Sequence, residues 1–172
     1  MLKLLTLIAA LLLLNACSTK EQEDLFKVYE KEKNYHNTLL KTEKVQLYDG
    51  QVTKAVLTAT YLFTHTEDLN DTRDEEFIVG VYIEDEEQSR LNAAGYTLTL
   101  DGTEPKSVAA LKKDDPLLKY VSFKADWSEF YLITFPHTSK KSFNLLFESE
   151  LYGTGKLHFA KVAKYVLTNE PF

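Results

Sequence analysis

Phe77-Ile78-Val79-Gly80-Val81-Tyr82-Ile83 decides the fold. Phe77, Val79, Val81 and Ile83 fall on one parity, with Ile78, Gly80 and Tyr82 on the other. A strand sends successive side chains to opposite faces, so this stretch predicts a strand with a fully apolar inner face. Residues 52–64 repeat the pattern upstream. They are rich in Val, Thr, Tyr and Phe, and Ala55, Leu57, Ala59, Tyr61 and Phe63 share a face.

Working outward, Tyr96, Leu98 and Leu100 follow Gly95 and precede the turn signal Asp101-Gly102. Residues 129–135 form an aromatic run stopped by Pro136. Phe143, Leu145 and Phe147 share a face, with Leu151 on the same parity. Tyr152-Gly153-Thr154-Gly155 reads as a turn, and the last strand is expected from Leu157 to about Leu167. Ser107–Lys113 reads as a helical turn or a short strand, and Leu118–Phe123 as a further strand. Seven or eight short alternating segments between Gly, Pro, Asn and Asp predict a mainly β chain, an antiparallel β-sandwich of immunoglobulin-like layering. The Cys…Trp…Cys framework of antibody domains is absent, because Cys17 is the only cysteine.

The amino terminus carries a different signal. Lys3 is a positive n-region, Leu4–Leu14 an apolar run broken only by Thr6, and Leu14-Asn15-Ala16-Cys17 closes the segment. The run is too short to span hydrocarbon, which takes about 20 apolar residues. Together these resemble the signal peptide and lipobox of bacterial lipoproteins. The chain as a whole is similar to small sandwich-domain lipoproteins of Gram-negative bacteria. The resemblance implies cleavage before Cys17, a diacylglycerol on its sulfur and acylation of the new amine. Cys17 is thus the expected lipidation site, with the membrane a partner through that lipid. One acyl chain holds a membrane marginally and two or more hold it firmly. Ser18 after the cysteine, rather than Asp, implies the outer membrane, facing the periplasm or the cell surface.

The expected domains are a signal peptide at 1–16, a tether and short amino-terminal helix at 17–36, and a sandwich at 37–172. Ser18 or Thr19 reads as the N-cap of that expected helix. Glu21, Glu23 and Asp24 come early in the helix and Lys27, Lys31 and Lys33 late, as its dipole prefers. Its stripe of Leu25, Phe26 and Tyr29 either docks on the domain or belongs to a solvated stalk. Loss of Lys3 with the signal takes the formal charge from −6 to −7. So acidic a chain excludes nucleic acid as a partner, since phosphates demand clustered Lys and Arg. With Cys17 acylated no disulfide can form, and ten Phe and ten Tyr must supply the core.

Chemistry-bearing patterns are weak. Glu67–Glu76 contains Asp68, Asn70, Asp71, Asp74 and Glu75. An EF-hand counted from Asp68 would need glycine where Arg73 stands and glutamate where Val79 stands. A solvated loop between strands is the simpler reading, as it is for Asp85, Glu86 and Glu87. His36, His65, His137 and His158 show no metal-ligand spacing; His137 reads as a loop residue and His158 as facing outward. No nucleophile elbow or phosphate-binding glycine loop is present. Trp127 is the aromatic expected to be most exposed. No catalytic residue, metal site or cofactor is therefore expected, and no ligand-binding residue is singled out. The expected function is a non-enzymatic, lipid-anchored envelope module working through an envelope protein partner. The alternative is a small-ligand-binding periplasmic lipoprotein with an apolar cleft between the sheets or beneath the helix.

Overall fold

The computed structural model describes residues 39–64, 70–84, 91, 95–122, 124–126 and 128–161. The signal segment, Cys17, the tether helix and Trp127 lie outside them. Among the described residues eight strands follow in order: β1 (Thr42–Asp49), β2 (Val52–Tyr61), β3 (Glu75–Ile83), β4 (Tyr96–Leu100), β5 (Ser107–Leu111), β6 (Glu129–Phe135), β7 (Ser142–Ser149) and β8 (Gly153–Ala160). They form two antiparallel sheets, β1-β2-β3-β6-β5 and β4-β7-β8, packed as a β-sandwich.

The deciding heptapeptide is the middle of β3, the central strand of the larger sheet. Its inner residues Phe77, Val79 and Val81 are fully buried, together with Ala55, Leu57 and Ala59 of β2 and Ile133 and Phe135 of β6. From the facing sheet come Leu98 and Leu100, Phe143, Leu145 and Phe147, and Leu157 and Phe159. Aromatic rings set the geometry of this core. Tyr61 stacks on Phe77 with centroids 4.8 Å apart, and Phe143 meets Tyr61 edge-on at 5.4 Å. Full burial of one such side chain contributes about 1.5–3 kcal/mol, so the sandwich needs no disulfide.

Of the two readings of residues 107–113, the strand is the one that forms, over Ser107–Leu111. Other boundaries depart from the sequence expectations. Pro116–Tyr120 is a 3-10 turn rather than part of a strand at 118–123. Asp115 caps it, accepting from the Leu117 amide at 2.9 Å, and Pro116 fits the first turn where no amide is needed. Its apolar residues turn inward: Leu118 and Val121 cover Ile78 and Phe130 on the outer face of the larger sheet, a second small core. The turn before the last strand comes early, so β8 begins at Gly153. Leu151, expected on the core face, is in that turn and 82% exposed. The Asp101-Gly102 turn forms as its dipeptide demands, with φ of +47° and +86°.

Candidate functional site

The flanks of the sandwich differ. On one, β1 lies against β8. A Cβ on Gly155 would stand 2.3 Å from Val45 Cγ2, so only glycine permits this approach. On the other, β5 ends the five-stranded sheet and Ser107–Ala110 are exposed. Val108 stands opposite Ile133, which is fully buried, yet is itself 46% exposed. The smaller sheet has only three strands and leaves β5 uncovered. An edge strand presents unpaired amides and carbonyls, which proteins usually protect with charge or proline. Ser-Val-Ala-Ala-Leu carries neither inside the strand; Pro105, Lys106, Lys112 and Lys113 flank it.

A second feature is a polar latch where β2 ends and β3 begins. Glu75 is 2% exposed. Its Oε2 accepts from the Tyr61 hydroxyl, while Oε1 accepts from the Thr138 amide at 3.0 Å and meets Lys161 Nζ at 2.6 Å. Lys161 also donates to the Thr138 carbonyl. Burial, and then the bond to Glu75, push the Tyr61 phenol far above its ordinary pKa. These groups bond to one another in a closed set of four. The arrangement does structural work, tying the end of β8 to the start of β3. Parity alone could have found it: Glu75 extends the Phe77–Val81 face backward, and Lys161 extends the Leu157–Phe159 face forward.

The acidic stretch resolves into separate ion pairs. Asp71 receives Arg73 Nε and Nη2, both at 2.8 Å, and that bonding holds its carboxyl well below the usual range. Arg73 also donates to the Thr64 carbonyl at 2.7 Å and lies over the Phe63 ring. Asp74 takes Lys106 Nζ at 2.7 and 2.9 Å, which lowers its pKa. Among the described residues no group of three or more His, Cys, Asp or Glu side chains could hold a metal ion. Glu67, Asp68, Asp85, Glu86, Glu87, His36 and His65 lie outside them. His137 sits in the loop after β6, where its Nδ1 lies 2.9 Å from the Arg73 carbonyl, and His158 is exposed on β8.

The third feature is a groove of about 590 Å³ on the outer face of the larger sheet. Its floor is Val56, Thr58 and Gly80, one side is Thr42–Lys44 of β1, and the other is Ser122, Lys124, Ala125 and Ser128. The 3-10 turn segment creates it by covering Ile78 and Phe130 but not β1 and β2. Between the sheets, aromatic side chains of the described residues pack into the core. The space beneath the expected amino-terminal helix lies outside the described residues. Compared with known proteins, the chain matches no family model, no curated protein and no solved structure.

Proposed function

We propose that this chain is a bacterial lipoprotein, held in the outer membrane by acyl groups on Cys17. Its sandwich acts without catalysis, through contact with an envelope protein. The fold would be immunoglobulin-like in its layers only. Three consecutive strands, β1 to β3, share one sheet, whereas the immunoglobulin order moves the third strand to the facing sheet. The observation that carries the contact reading is β5, an edge strand free of charge and exposed on both faces over Ser107–Ala110. A partner could add a strand there, with main-chain bonds supplying affinity and the small side chains admitting close approach.

Two measurements test this. Cys17→Ser replaces the sulfur that would carry the thioether, and metabolic labelling with a radioactive fatty acid should lose all signal; persistent label would place any anchor elsewhere. A photocrosslinking amino acid at Val108 should capture a discrete envelope protein in cells, while the same group at the exposed His158 should not. Equal yields from both positions, or none from Val108, would remove β5 as the contact. A second reading, a small-ligand carrier, is favoured by the outer groove.

A further inference from the structure

We infer that the outer groove binds a small amphipathic anion, a carboxylate carried on an apolar body. The inference rests on the ligand-carrier reading and adds the chemistry of its ligand. Cross-strand register builds the site. Lys44 stands opposite Thr58, Thr58 opposite Gly80, and Gly80 opposite Phe130, one row on the outer face. Neighbours in such a row point the same way. The Phe130 ring lies across Gly80, where a Cβ would come within 2.8 Å of it, and closes that end. Between the ring and Lys44 the row holds only Thr58 and Gly80, with Val56 beside them, so the floor is shallow and largely apolar.

Charge at the rim is net positive. Lys44 on β1 and Lys124 on the opposite wall both line the groove. Glu43 also lines it, but it pairs with the inward-facing Ala59, so strand alternation starts its side chain toward the other face of the sheet while Lys44 points into the groove. Two ammonium groups around an apolar floor are unlike the rest of a chain with formal charge −6. The volume falls within the roughly 300–1,000 Å³ usual for small-molecule sites.

The test uses the full chain in phosphatidylcholine vesicles, with radiolabelled octanoate and octan-1-ol as probes and protein-free vesicles as background. We expect saturable, protein-dependent retention of octanoate beyond that of octanol. Lys44→Gln and Lys124→Gln should each weaken it about fivefold, as loss of a half-exposed ion pair implies. Both lysines are exposed, so the variants should fold, and circular dichroism verifies that. Equal retention of both probes, unchanged in the two variants, would overturn the anion while keeping the groove as a ligand site. No protein-dependent retention of either probe would overturn both.

Discussion

The β1/β8 flank and the β5 flank are built on opposite terms. Where β1 meets β8, Gly155 lets Val45 and Leu47 approach the facing strand, and Lys161 just past β8 is locked to Glu75. Where β5 ends the larger sheet, Ser107–Ala110 are exposed on both faces, and the support is the ladder to β6 with Leu111 against the second core. Stability is concentrated on the first flank and available backbone bonding on the second. The two needs conflict, since covering an edge removes it from use. This chain divides them between opposite sides of one sandwich.

The sharpest way to break the comparison is to cut the latch. Glu75→Ala removes a buried carboxylate and strands Lys161, whose side chain is 16% exposed, together with the Tyr61 hydroxyl and the Thr138 amide. Leaving one partner of a buried pair uncompensated costs about 3–5 kcal/mol. Urea unfolding should show that loss as a lowered midpoint with little change in slope. A change below about 1 kcal/mol would mean that the latch is not what secures β8.

Gly155→Val tests the same flank by overpacking. Its side chain would enter space already held by Val45 and Leu47, forcing the sheets apart at a cost of about 1–3 kcal/mol. The matching change on the open flank is Val108→Thr, which meets little and should stay within about 0.5 kcal/mol of the parent. Thermal melts of the two variants side by side read the asymmetry directly. Equal losses would show that β5 is supported by contacts other than its ladder.

Much of this was legible in the sequence because burial acts on parity. Phe77–Ile83 and Ala55–Tyr61 read as strands with an inner face, and both are strands with that face buried. The failures fall where parity carries no signal. Leu118 and Val121 are buried on the outside of the sheet, so apolar content there marked a 3-10 turn rather than a strand. Leu151 matched the parity of β7 but lies in the turn beyond it. The open flank was invisible because exposure of β5 depends on the facing sheet having three strands, a property of strand order. The groove likewise depends on which part of the outer face the 3-10 segment covers. Glu75 and Lys161 were legible but passed over, since charge at a strand end is normally solvated.

The smallest expected effect concerns the tie at the start of β5. Lys106, the residue before the strand, is paired with Asp74, which precedes β3 and also accepts from the His137 amide at 3.2 Å. The Lys106 bond lowers the Asp74 pKa in the folded chain, so folding favours the ionised carboxylate. The sign follows from proton binding. The unfolded state takes up a proton first, near the ordinary Asp value of about 3.9, so the contribution is fully present above that pH. It is lost as pH falls further, through the lower folded value. Asp74→Asn should therefore melt slightly below the parent at pH 6 and together with it once Asp74 is protonated in both states. Both partners are substantially exposed, so the gap at pH 6 should shrink with added salt. Exchange of the β5 amides that bond to β6 sharpens the result, because release of Lys106 should speed opening of β5 and leave β8 unchanged. A gap between variant and parent that persists undiminished at the lowest pH would mean that the substitution acts through the His137 loop instead.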